Sequence, residues 1–240
     1  MGLPLYLAMT APELFATNPL PEKLAYMACC FSPYNSGLSN IPPSLPPASM
    51  LILNDSTPAG EHDPVLIGRQ LCQLIDALQC SCVLLDFQRP ANEQTYKIAQ
   101  EVLSCLSCPV AVSEEYAENL NCAVFLSSLP LGKSLETYLS KWKNREVWLE
   151  IAPDSVVTTV DSSGSSTVRC IPYDPALLPH YCDALHCHYK IEPAVNAVYF
   201  TLQRLNQDLA ALLQEAENLG VTKAVGLYQE LGFSSEFHCF

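Results

Sequence analysis

The chain has 240 residues, with 12 Lys plus Arg against 25 Asp plus Glu and a formal charge of −13. At 49% apolar and 15% charged residues it is no disordered acidic tail, and it carries enough hydrophobic material to fill one core. The sign of the charge argues against nucleic acid and anionic membranes, which are held by clustered Lys and Arg. Cysteine is unusually frequent, at 12 residues. Met1 leads into the apolar run Leu3 to Met9 with no basic leader segment and no small-residue cleavage site, and no stretch approaches a membrane span. The expectation is a cytoplasmic protein with reduced thiols and no membrane contact.

Short apolar runs recur along the chain. Leu3 to Ala8 is the first and Leu24 to Phe31 the second, followed by the Pro- and Ser-rich segment Ile41 to Ser49, which cannot form a regular helix. Met50 to Asn54 is the third. Pro64 to Leu78 then carries Val65, Leu71, Leu74, Ile75 and Leu78 at helical spacing, with Asp63 suited to the cap and Pro64 to the first turn. Cys82 to Phe87 is the fourth run, and Asn92 to Leu106 predicts a second helix.

Pro109 to Val112 and Cys122 to Leu126 are the fifth and sixth runs, joined by a segment barely long enough for two helical turns. A short helix is expected from Ser134 to Trp142, and Glu146 to Ile151 is the seventh run. Val156 to Val160 and Thr167 to Ile171 flank a Ser-Gly turn and predict a β-hairpin over 152–172, inserted after the seventh strand. The longest helix is expected from Leu202 to Leu219, ended by Gly220, and Lys223 to Tyr228 is the eighth run.

Eight buried-type strands, most separated by helices, predict a single (β/α)8 TIM-type barrel over 1–240. Unbroken apolar runs fit parallel strands covered on both faces. A doubly wound open sheet is the competing arrangement, because periodicity alone does not separate the two. The helical ring is thin after the second and fifth strands, which leaves patches that a second copy of the chain could cover.

The fourth run reads Ser81-Cys-Val-Leu-Leu-Asp-Phe-Gln88. It resembles a worn copy of the D-x-x-D-x-D-x-E motif of the family 18 glycoside hydrolases, the chitinases and related spore-cortex and peptidoglycan hydrolases. Ser81 and Leu84 stand in place of the first two Asp residues, Asp86 matches the third, and Gln88 replaces the catalytic Glu. The end of the chain is also similar: a long helix, Leu219-Gly220, then Ala-Val-Gly-Leu-Tyr-Gln-Glu-Leu-Gly232, with Tyr228 where the family often has the Trp that floors the sugar subsite. Ala197 to Thr201 resembles the segment that leads into that helix in the spore-type branch. The resemblance follows the order of elements over most of the chain and matches residues in two short windows.

The resemblance implies a substrate-assisted route. The Glu protonates the leaving oxygen while the neighbouring Asp orients the N-acetyl group that attacks the sugar. A Gln amide keeps the shape and the hydrogen bonds but has no proton to give near neutral pH. The implied reading is a pseudoenzyme that holds an N-acetylated oligosaccharide without cleaving it by that route and needs no cofactor. The alternative is an ordinary strand end whose Asp caps the next helix.

Other acids fall where a barrel has its active face: Asp55 after the third strand, Glu114 and Glu115 after the fifth, Glu150 in the seventh and Glu230 beyond the eighth. One of Glu114, Glu150 or Glu230 could act as a relocated acid beside an ionised partner and make the chain an active hydrolase. A third reading is a scaffold for protein contact, through the Pro-rich loop or the hairpin. Tyr6, Tyr26, Phe31, Tyr34, Trp148 and Tyr228 could line a saccharide cleft, although strand aromatics also serve as core.

Cys80, Cys82, Cys105, Cys108 and Cys122 fall at strand starts on the opposite face, where thiolates could bind zinc or pair, or pack as small apolar residues. The irregular spacing gives no metal signature, and His180 to His188 reads as a surface helix and loop carrying ligand-type residues. No phosphate loop and no G-x-S-x-G elbow is present in the sequence.

Overall fold

A computed structural model describes residues 2–29, 44–54, 63–87, 90–172 and 178–231. Eight parallel strands close into a barrel: β1 (Leu5–Met9), β2 (Leu24–Cys29), β3 (Met50–Asn54), β4 (Cys82–Asp86), β5 (Val110–Ser113), β6 (Ala123–Leu126), β7 (Val147–Glu150) and β13 (Val221–Leu227). Each pairs with the next, and β13 closes the ring on β1, with Leu5 opposite Ala224 and Leu7 opposite Gly226. Closure settles the competition with an open sheet in favour of the (β/α)8 barrel.

Alternation along the strands divides the apolar residues into two sets. Tyr6, Met50, Ile52, Leu84, Phe125 and Trp148 fill the lumen. Leu51, Leu53, Val83 and Leu85 point outward and pack under Leu71 and Ile75 of α2 (Pro64–Leu78) and Ile98 and Val102 of α3 (Glu93–Cys105). Both helices start as their sequences dictate. Asp63 accepts a hydrogen bond from Val65 N at 3.0 Å, and Asn92 accepts one from Thr95 N at 3.0 Å.

A six-residue helix, α1 (Ala11–Ala16), follows β1 and escaped the sequence reading, while α4 (Glu114–Ala117) is a single turn after β5, where the segment has room for barely two. α5 (Leu135–Leu139) begins at Ser134, as expected, and α6 (Asn206–Asn218) closes with Gly220 at φ +91°, where a side chain would be strained. Among the described residues no helix is long and apolar enough to cross a membrane.

The insertion after β7 is larger than the predicted hairpin over 152–172. Five antiparallel strands, β8 (Asp154–Asp161), β9 (Ser166–Cys170), β10 (His180–Cys182), β11 (Cys187–Ala194) and β12 (Ala197–Arg204), form a second sheet in the order β10-β11-β12-β8-β9. The hairpin exists as β8 and β9, at one edge. Two expectations change with it. The helix predicted from Leu202 begins only at Asn206, because Leu202 and Arg204 are bonded across to β8 as the end of β12. His180 to His188 forms strand, one short 3-10 turn and strand instead of a surface helix, so Cys182 and His186 share no helical face. The eighth barrel strand ends at Leu227, and Tyr228 opens the short helix α7 (Tyr228–Leu231).

Arg204 ties the second sheet to the barrel. It is fully buried, and its guanidinium donates to Leu129 O at 2.6 Å, His186 O at 3.3 Å and Leu185 O at 3.5 Å. Beside it His188 Nδ1 donates to Asp208 Oδ2 at 3.0 Å, and the same oxygen accepts Leu205 N at 2.8 Å, capping α6. His186 Nε2 contacts Glu215 one to two turns further along α6. A buried cation must be hydrogen-bonded to be tolerated, and three carbonyls do this here. Arg204→Ala strands those carbonyls and opens a cavity. A loss of about 3 kcal/mol in unfolding free energy is expected from urea denaturation. A loss below about 1 kcal/mol would mean that the junction carries little of the fold.

Candidate functional site

The same alternation that fills the lumen builds the mouth. On β4, Cys82 and Leu84 point inward, so Asp86 is the next inward position, at the C-terminal end of the strand and half-buried. On β5, Ala111 is followed by Ser113, on β6 Phe125 by Ser127, and on β7 Trp148 by Glu150. These four polar residues stand one rung above the apolar plug. Charge is placed where water still reaches it, and the enclosed rungs below are built mainly of apolar side chains.

Above the plug opens a cavity of about 610 Å³, whose walls include Asp86, Ser113, Glu114, Phe125, Lys141 and Glu150. Ser113 Oγ lies 3.4 Å from Asp86 Oδ1, and Glu150 Oε2 accepts Ser128 N at 3.0 Å. Glu114 Oε1 accepts Trp142 Nε1 at 3.2 Å and lies 3.5 Å from Lys141 Nζ, which also meets Glu118 at 2.8 Å. Asp86, Glu114, Glu115, Glu118 and Glu150 all line the cavity with Lys141, so part of the chain's acidity gathers at this mouth. Tyr138 donates to Ser127 O at 3.0 Å; burial, followed by the charges of Glu114 and Glu150, raises its hydroxyl pKa.

Of the expected acids, Asp86, Glu114, Glu115 and Glu150 line this cavity. Glu230, on α7 at the same end of the barrel, is near enough to Glu150 and Asp154 to feel both. Partial burial first, and then those two negative charges, push its carboxyl above the ordinary range. Gln88, Asp55, Phe31 and Tyr34 lie outside the described residues.

The expected aromatic lining is corrected at three places. Tyr26 is 1% exposed and packs outward between barrel and helices. Trp148 is fully buried in the lumen, with Nε1 donating to Glu146 Oε1 at 2.8 Å and Lys223 Nζ 4.5 Å above its ring. Tyr6 is likewise a lumen residue. Tyr228 is half-buried against the helix-side core. The aromatic residues that line the cavity are Phe87 and Phe125. Sequence reading missed Ser113, Ser127, Tyr138 and Lys141; the two serines were within reach of strand parity, each being the first polar residue after an apolar strand.

Cys80, Cys82 and Cys108 cluster at the foot of β4 and β5, where burial pushes the Cys80 thiol up to about 12, with the Cys108 and Cys82 charges adding to it. Cys122 stands apart, with its carbonyl accepting Arg145 Nη2 at 2.6 Å. Among the described residues no group of three or more His, Cys, Asp or Glu is arranged to hold a metal ion.

Comparison with solved structures places the fold. The spore cortex-lytic enzyme SleL of Bacillus cereus superposes with TM-score 0.54 at 7% identity, over 97% of this chain and 71% of that one. A glycoside hydrolase family 18 N-acetylglucosaminidase from Paenibacillus barengoltzii gives 0.57 at 8% identity, over 98% and 97%. A family 18 chitinase from Cycas revoluta, a double mutant with one Glu-to-Gln exchange and in complex with (GlcNAc)4, gives 0.52 at 10%, over 92% and 94%. No family model and no curated protein matches the sequence. The chain therefore has a family-18-like barrel fold, as its β4 and β13 segments implied.

The raised Glu230 carboxyl has a pH signature. A group whose folded pKa is raised contributes stability that is complete below its unfolded value, about 4.3 for Glu, and is lost as pH rises through the folded value. Glu230→Gln removes that loss. The stability of the variant relative to the wild type should rise with pH through this window and then level off, as read from urea midpoints. Parallel curves would show that Glu230 has its ordinary affinity for protons.

Proposed function

We propose that the barrel binds an N-acetylated glycan of chitin or peptidoglycan type at its C-terminal mouth and does not hydrolyse it efficiently. The observation that carries this reading is Asp86, presented at the cavity on the strand where the family keeps its acidic motif, with Gln two residues later. In the substrate-assisted route, Asp86 would orient the N-acetyl group, and position 88 would have to supply the proton to the leaving oxygen. An amide there can hydrogen-bond the glycosidic oxygen and cannot protonate it. That a family 18 chitinase with a Glu-to-Gln exchange is found in complex with (GlcNAc)4 supports binding by a barrel altered in this way. Ser113, Ser127 and the carboxylates at the mouth offer the donors and acceptors that a neutral sugar needs, with Phe87 and Phe125 also lining the cavity.

A second reading is favoured by one observation, the Glu230 carboxyl whose pKa is raised by burial and by the charge of Glu150. A carboxyl whose affinity for its proton is raised, with a second carboxyl near it at the mouth, is what a hydrolase with a relocated acid requires. The two readings separate on turnover of a fluorogenic N-acetylglucosaminide. The binding reading expects none from the wild type, whereas turnover abolished by Glu230→Gln would establish the second.

Calorimetry with (GlcNAc)4 and with peptidoglycan fragments tests the first reading directly. Binding is expected, weakened at least about tenfold, or ~1.4 kcal/mol, by Asp86→Ala. Gln88→Glu should give slow hydrolysis where the wild type gives none. No heat with any of these glycans would overturn the proposal.

A further inference from the structure

Away from the mouth, two cysteines meet across the interface of α2 and α3, and the register of the helices puts them there. Both helices connect successive strands of the parallel barrel and run side by side in the same direction. They approach closely at Gly68. A Cβ built there would stand 2.6 Å from Glu101 Cβ and 3.5 Å from Ile98 O, so only a hydrogen fits without moving α3. Arg69 reaches the same partner, Nε to Glu101 Oε1, at 3.1 Å. One turn onward on each helix, four residues past Gly68 and four past Glu101, stand Cys72 and Cys105.

The two thiols are unequal. Cys72 is 7% exposed, while Cys105 is open to solvent with its Sγ 3.9 Å from Glu101 Oε1. The Cys105 side chain is near enough to Cys72 to act on its thiol. Burial first, and then the neighbouring Cys105 side chain, push the Cys72 thiol up to about 12. The other group, Cys80, Cys82 and Cys108, has no exposed member through which a reagent could enter.

We propose that Cys72 and Cys105 are a redox-active dithiol, which an external disulfide of the glutathione type converts into an interhelical disulfide. Cys105, as thiolate, attacks one sulfur of the oxidant; the oxidant's S–S bond breaks and its first thiol leaves, taking up a proton. With Cys105 now a neutral mixed disulfide, its sulfur is the electrophile nearest to Cys72. Cys72 gives its proton to solvent and attacks the Cys105 sulfur, and the second thiol of the oxidant leaves. Two protein thiols lose two electrons and two protons, and the oxidant gains both as two thiols. The bond closes a loop over 72–105 that contains all of β4, and so staples the helices on either side of the strand that presents Asp86.

The test is treatment of the whole chain with oxidised glutathione, alkylation of remaining thiols, digestion and mass spectrometry. The expected product is a linked pair of Cys72 and Cys105 peptides, lighter by two hydrogens than the two reduced peptides together and separated by dithiothreitol. Cys72→Ser should stop at glutathione bound to Cys105, and Cys105→Ser, at an exposed position where folding is undisturbed, should leave Cys72 unreacted. A wild type that stops at the mixed disulfide, a link confined to other cysteines or an unreactive Cys105 would each overturn the proposal.

Discussion

Side-chain alternation in a closed parallel barrel is the constraint on which this molecule depends. Because inward positions recur every second residue, Leu84 in the lumen determines where Asp86 stands, and Trp148 does the same for Glu150. The lumen must be dry and full. Phe125 and Trp148 occupy much of it, and the first inward rung with access to water is the one that carries Asp86, Ser113, Ser127 and Glu150. A polar residue one rung lower would be enclosed without partners, at a cost of roughly 2 kcal/mol or more. The site is thus a consequence of how the core is filled. Substitutions within the plug and at the mouth will be coupled through the same few strands.

The second sheet extends this logic away from the barrel axis. It leaves β7 almost at once, with Asp154 opening β8 four residues after Glu150, and returns through Arg204 into α6. The guanidinium, the His188–Asp208 pair and the His186–Glu215 contact concentrate the polar links where the chain re-enters the barrel. The distal strands are much less covered, with β9 exposed along its length. The sheet is fixed at its root, and the root is also next to the mouth: Leu202 Cδ1 lies 3.7 Å from where a Cβ on Gly132 would be, in the loop that follows β6.

What the sequence reveals follows from which residues have one physical reason for their identity. The eight barrel strands are legible because burial on both faces forces unbroken apolar runs, and α2 and α3 because Asp63, Pro64 and Asn92 mark their starts. Asp86 is legible from the motif and from parity together. The second sheet is not, since strands such as β11 are half-exposed and mix Lys190, Ile191 and Glu192 with no clean alternation. Leu202 misled because it keeps helical spacing with Leu205 and Leu209 although it belongs to β12. Tyr26 and Trp148 show the limit of aromatic content as a guide, because a ring on a barrel strand fills space first. Tyr138 and Lys141 come from a short helix segment whose position over the mouth is a tertiary fact with no local signal.

The central claim is that the acidic ring above the lumen plug is where a glycan docks. Saturation-transfer NMR with (GlcNAc)4, competed by nothing else and repeated on a Glu150→Gln and Ser113→Ala double variant, tests it most directly. The account predicts strong transfer to the N-acetyl methyl protons in the wild type and its loss in the variant, with the variant's amide spectrum otherwise unchanged. Equal transfer in both proteins would place the ligand elsewhere and contradict the account.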